Sequence, residues 1–319
     1  MKQKITKNKK KKQKQTAVFA LIAVLAAAAS VSVRFGVFSA KSKDKIILDL
    51  TATLDQADHV EVKAEQVHYF IDENQYHIDM QELEDEINEI ISETKAVTGG
   101  EWAVYVSVPS SGSTLSINSK KMQAASVIKL FIMAAVYDEY DDIAKRYPDD
   151  DIDELIDSMI TVSDNESADI LVRMLGNGNN AKGRKKVTDF CKANGLNNTT
   201  MDRMMQEDND VSDNYTTTED TGKFLEMLLD GEFKHSKEML RTLENQSRVS
   251  KIPAGIPLNV TIANKTGELD DVQNDAAIVF AKRPYIICIM TDGISGYQEP
   301  IDAIVDISHK TYNYLIPKM

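Results

Sequence analysis

A chain of 319 residues with 42% hydrophobic and 7% aromatic side chains has room for one large domain or two small ones and can bury a sizeable core. Its net charge of −13 is unevenly spread: the first fifteen residues hold eight lysines and no acid, so a basic tail precedes a strongly acidic body. That body argues against a nucleic-acid partner, because a phosphate backbone requires a cationic face.

The tail, residues 1–16, leads into an uncharged run over 17–33, closed by Arg34. Lysines ahead of an apolar run stay in the cytoplasm, so residues 17–40 read as a single-pass anchor in the cell membrane, with all that follows extracellular. A cleaved signal peptide, with Ala27-x-Ala29 as its processing site, is the alternative. Residues 41–75 mix charge with short apolar runs such as Ile46-Ile47-Leu48 and hold no sustained period, which reads as a juxtamembrane spacer. The folded domain is expected over 76–319. Cys191, in a helical pattern, and Cys288, in a strand pattern, read as two buried thiols.

Within the domain, Met80, Leu83, Ile87, Ile90 and Ile91 recur at helical spacing, and Gly99-Gly100 ends that helix. Residues 102–108 alternate as a strand, Pro109-Ser110-Ser111-Gly112 turns, and 114–117 returns as the hairpin partner. The next stretch, 123–140, is apolar around its whole circumference, which predicts a buried helix. On it Lys129 stands three residues after Ser126, so that amine and hydroxyl share one face. An amine stripped of water has a lowered pKa and accepts a proton from a neighbouring serine, which makes Ser126 the candidate nucleophile and Lys129 its base. The plain alternative is a lysine snorkelling from a core helix beside an ordinary N-terminal serine. The same spacing recurs at Ser42 and Lys45, without an apolar frame.

Helical periods follow over 152–160, 168–175, 185–193 and 221–229, so the middle of the domain is expected to be helical and without strands. The acidic run over 138–157 reads as a solvated face; it has no histidine nearby and no regular ligand spacing to suggest a metal. Strand patterns resume over 259–263, 276–281 and 285–291, and an apolar-periodic helix over 300–314 closes the chain. This order predicts an α/β domain: an antiparallel sheet flanked by the N- and C-terminal helices, beside an all-α lobe, with a ligand cleft between the two.

Two further motifs bear on that cleft. Ser163-Asp164-Asn165 falls where one helix ends and the next begins, and Lys265-Thr266-Gly267 follows the strand expected to end at Ala263-Asn264. With Ser126-x-x-Lys129 these stand in the chain order of the signatures of penicillin-interacting serine enzymes. A second Ser-Asp-Asn, at 212–214, lies in a polar loop. From about residue 77 to its end the chain resembles the class A β-lactamase family. The likeness extends to Met159-Ile160-Thr161-Val162 before Ser163, Met201-Asp202-Arg203 opening the family's omega loop, the threonines at 216–218 beginning a helix, and Asn274-Asp275 starting a strand.

The resemblance implies a β-lactamase-like fold and amide hydrolysis through an acyl-enzyme, with no cofactor and no metal. It implies that Ser126 is acylated, Lys129 assists its deprotonation and Ser163 passes a proton to the departing nitrogen. Asn165 would hold the acyl side chain, and Lys265, Thr266 and Gly267 would bind the substrate along its carboxylate side. The backbone amides of Ser126 and Glu268 would form the oxyanion hole. Three departures bear on the activity. The place of the family's deacylating glutamate, three residues after Asp202, holds Met205, with Glu207 two residues further on and Asn209 where the family has its asparagine. The gap from Ser126 to Ser163 is short, and Asp270-Asp271 stands where a glycine is expected. The expectation is a serine hydrolase acylated by β-lactams or related amides, slow to hydrolyse β-lactams. A wall-peptide D-Ala-D-Ala carboxypeptidase or transpeptidase, and a β-lactam or wall-fragment sensor that acylates once, are the alternatives.

Overall fold

The computed structural model describes residues 77–208 and 212–318. The basic tail, the anchor and the spacer expected before residue 76 lie outside them, as does Asn209.

The first helix, α1 (Gln81–Thr98), buries Leu83, Ile87 and Ile91 and ends at Gly99 and Gly100, both at positive φ. A side chain at Gly100 would run into Ile294 and the carbonyl of Asp292, so the turn into the sheet needs glycine for space as well as for φ. The hairpin follows as β1 (Glu101–Val108) and β2 (Ser113–Ile117). Three strands from the far end of the chain complete the sheet: β5 (Thr261–Leu269), β6 (Val272–Phe280) and β7 (Tyr285–Asp292). Their order is β2-β1-β7-β6-β5, antiparallel throughout, with β5 at an edge.

The sheet is covered on both faces, which is why β7 is buried from Tyr285 to Thr291. Period-two alternation divides its residues: Ile287 and Ile289 pack with α1 and the last helix, α9 (Gln298–Leu315), whereas Ile286 and Cys288 join the core of the helical lobe. Cys191 and Cys288 are free, buried thiols, as expected.

The helical lobe is built round α2 (Ile128–Asp138), every residue of which from Ile128 to Tyr137 is buried. Around it lie α3 (Tyr140–Arg146), α4 (Ile152–Thr161), α5 (Asn165–Leu175), α6 (Asn180–Ala193), α7 (Thr218–Leu229) and α8 (Ser236–Glu244). The short α3 and the amphipathic α8 are additions to the helices read from periodicity. A second addition is a two-strand ribbon, β3 (Met122–Gln123) with β4 (Tyr215–Thr216), in a region expected to be without strands. Asp151, from the acidic run, caps α4 by accepting from the Glu154 amide.

Candidate active site

Ser126 is not on the α-helix. It sits in a 3₁₀ turn, Ala125–Val127, that feeds α2, and Ala125 just before it is left-handed at φ 45°. A non-glycine residue in that region stores strain and persists only when its surroundings hold it there. Here they do: the Ala124 amide donates to the Asn214 carbonyl at 2.8 Å, and the buried Asn274 amide group donates to the carbonyls of Gln123 at 2.9 Å and Ala124 at 3.3 Å. Asn274 is itself fixed by the Thr291 amide. Ser126 remains partly exposed between buried neighbours.

Lys129 is fully buried, and among the described residues its amine makes no hydrogen bond to Ser126. It donates instead to the Ser163 carbonyl at 2.7 Å, to Asn165 Oδ1 at 2.7 Å and to Ser163 Oγ at 3.2 Å. Burial is the main cause that lowers the Lys129 pKa to about 7, with Asp164 and Asp169 pulling it back up.

Ser163-Asp164-Asn165 spans the junction of α4 and α5. Asp164 caps α5 by accepting from the Ser167 amide at 2.6 Å, and Ser163 is left-handed at φ 63°. The capped turn brings Ser163 Oγ between two amines, because Lys265 also donates to it, at 2.9 Å. Burial first, and the neighbouring Lys129 charge second, push the Lys265 amine well below the usual lysine range. Two buried amines sharing one hydroxyl cannot both stay charged cheaply, which is the electrostatic setting of a proton relay.

Lys265-Thr266-Gly267 does not follow a strand that ends at Ala263-Asn264, as its sequence suggested. It lies within β5, whose nine residues pair with β6 as far as Leu269. The polar residues there are as buried as the apolar ones, so hydropathy missed the strand's second half. A Cβ on Gly267 would stand 2.8 Å from the Ala124 carbonyl and 3.1 Å from the Ser126 amide. Only glycine lets the strand pass this close to the turn carrying Ser126, and it carries the Glu268 amide alongside. Asp270-Asp271 forms the two-residue turn into β6.

The loop after α6 is held from two sides. Arg203 pairs with Asp213 at 2.8 Å, both buried, and Asn214 Oδ1 accepts from the amides of Asp202 and Arg203. Asp213 and Asn214 of the second Ser-Asp-Asn therefore clamp this loop. From α5, the buried Asp169 accepts from the Met205 amide at 2.6 Å and the Gln206 amide at 3.1 Å. Met205 packs into the core of the lobe. Glu207 is exposed, and its carboxylate turns back to accept from the Met204 amide at 2.8 Å and to face Arg184 at 3.6 Å.

Three residues of the site had no signal in sequence. Asp169, one helical turn after Asn165, is the first. The others are Arg248 and Lys251, which both meet the Glu268 carboxylate, at 3.3 Å and 3.0 Å. Lys251 is fully buried and also donates to the carbonyls of Gly267 and Asn274. A groove of about 520 Å³ at the opposite end of α2, floored by Phe190 and Phe233, holds no serine.

The described domain is an antiparallel sheet backed by two terminal helices and joined to a helical lobe, with a serine turn and two buried amines at the join. The model of the "Beta-lactamase enzyme family" matches residues 82–147 and 143–315, so the chain belongs to that family. A beta-lactamase 1 of Streptomyces cacaoi is 30% identical over 169 residues, which cover 48% of this chain and 50% of that protein. A beta-lactamase of Streptomyces fradiae is 28% identical over 163 residues, 48% of this chain and 51% of the relative. The chain thus matches about half the length of these curated relatives. Among solved structures, one described as the structure of PBP-A superposes with a TM-score of 0.64 at 21% identity, over 73% of this chain and 96% of that one. A beta lactamase from Xanthomonas campestris gives 0.64 at 19%, over 73% and 98%. The fold is that of class A β-lactamases.

Proposed function

We propose that the protein is a serine acyl-transfer hydrolase that opens β-lactams or related amides by acylation of Ser126 and releases the acyl group slowly. The observation that carries this reading is the pair of buried amines, Lys129 and Lys265, on the single hydroxyl of Ser163, next to a turn where Gly267 approaches the Ser126 amide. Amide cleavage needs a nucleophile, a route for its proton to the leaving nitrogen and donors for the oxyanion. In this reading the Ser126 hydroxyl proton passes to neutral Lys129, which relays it through Ser163 to the departing nitrogen. Asn165 orients the acyl side chain, Thr266 and Lys265 bind the far side of the substrate, and the amides of Ser126 and Glu268 receive the carbonyl oxygen.

Release is the slow step. Met205 offers a thioether where a base is required, and Glu207 is committed to Met204 and Arg184. General-base assistance is worth roughly 10²–10⁴ in rate, so the acyl-enzyme accumulates. That long lifetime favours a second reading, a wall-peptide carboxypeptidase or transpeptidase whose acyl group waits for an acceptor. Residues 17–33 support a place at the outer face of the cell membrane, with the lysine tail inside. Among the described residues no helix is long and apolar enough to cross a membrane. The test is to label the protein with a fluorescent penicillin, chase with unlabelled compound and time the loss of label. A stable label supports the reading; absence of labelling, or loss within one turnover of an ordinary hydrolase, contradicts it.

A further inference from the structure

Glu268 stands at a position where a carboxylate is costly to a substrate with a carboxylate of its own. It is two residues after Thr266 in β5, so both side chains leave the same face of the strand. That face carries the end of the substrate opposite the acyl group in the reading above. The positive charges available there are Arg248, about half exposed, and Lys251, fully buried, and Glu268 engages both, at 3.3 Å and 3.0 Å. The remaining cation on the strand, Lys265, divides its donors between Ser163 Oγ, the Thr266 carbonyl and the substrate, and its burial disfavours the charged form, so it offsets a carboxylate only in part. Asn274, on the neighbouring strand, is neutral and occupied with Gln123 and Ala124.

We infer that Glu268 is an internal anion seated on Arg248 and Lys251, and that it makes the site select acyl donors whose leaving side is uncharged or amidated over donors that bear a free carboxylate there. An incoming carboxylate must either displace Glu268 from Arg248 or bind beside it, and like charges at this range repel. A neutral group meets neither cost. The inference rests on the acyl-transfer reading and adds the substrate class to it.

The experiment compares second-order acylation rates for a penicillin and its methyl ester, by intact mass, in the full chain. The readout is the ratio of acid to ester rates, which cancels changes common to both. Glu268→Gln keeps an oxygen for Lys251 and removes the charge; it should raise the ratio about tenfold, the effect of one charge near the surface. Arg248→Gln alters an exposed side chain, leaves Glu268 less neutralised and should lower the ratio by a similar factor. A ratio within twofold of wild type in both variants overturns the inference while leaving acylation of Ser126 intact. Failure of both compounds to acylate wild type and variants overturns it together with the reading on which it rests.

Discussion

Placing a glutamate at 205 tests whether slow release has a single missing group as its cause. The structure predicts that Met205→Glu alone fails. The Met205 amide is bonded to the Asp169 carboxylate at 2.6 Å, so the new carboxylate would join a buried anion already perched there. Burial already raises the Asp169 pKa, with Glu207 adding to the effect. Two carboxylates about 4–6 Å apart repel by roughly 3–4 kcal/mol at an effective dielectric of about 20. At 1.36 kcal/mol per unit this pushes one of them up by about two to three pKa units, enough to protonate a large share of the intended base near neutrality. Met205→Glu combined with Asp169→Asn removes the repulsion and keeps an amide oxygen for the Met205 amide, at the loss of the bond from the Gln206 amide. The assay is pre-steady-state hydrolysis of a chromogenic cephalosporin. Wild type and Met205→Glu should give a burst of one equivalent and a slow phase; the double variant should speed the slow phase by at least tenfold. Equal acceleration in Met205→Glu with Asp169 intact would refute the electrostatic argument. Rapid burst-free turnover in wild type that Glu207→Gln abolishes would refute the assignment of Met205 itself.

Lys129, with its pKa near 7, is the base only when neutral, and the neutral fraction falls tenfold per pH unit below that value. Acylation should therefore rise with pH, lie about 100-fold below its plateau at pH 5 and level off above about pH 8; a flat profile from pH 5 to 8, read by stopped-flow labelling, removes Lys129 from the role. Arg203→Met removes the buried guanidinium that joins Asp213 to the carbonyls of Met204 and Glu207, and should cost about 1.5–3 kcal/mol in urea unfolding; a change below about 0.5 kcal/mol means the clamp is dispensable. Protease added to intact protoplasts should remove the domain and leave a lysine-bearing stub in the membrane, whereas protection of the domain, or a soluble product beginning near Ser30, overturns the proposed topology.

What the sequence made legible follows from periodicity. The helix α2 shows because it is apolar on all sides, and β1 and β7 show because runs of strand-forming residues are bounded by turn residues. β5 was cut short because Asn264, Lys265 and Thr266 are polar residues buried by the site rather than by the core. The three motifs marked Ser126, Lys129, Ser163, Asn165 and Lys265, and the fold brings them together. Their connections were not legible: Lys129 bonds to Ser163 and Asn165 across more than thirty positions, a pairing no helical spacing encodes. The same holds for Asp169 on the loop and for Arg248 and Lys251 on Glu268, where single charged residues far apart in the chain meet only through the sheet edge.

The central claim is that one serine takes the acyl group and keeps it. Intact-mass measurement of the protein after a penicillin pulse, and again through a chase, addresses it directly. The account predicts a single adduct of the full penicillin mass, absent in Ser126→Ala and persisting long after the pulse. An adduct that survives Ser126→Ala, or one that maps to Ser42, contradicts it.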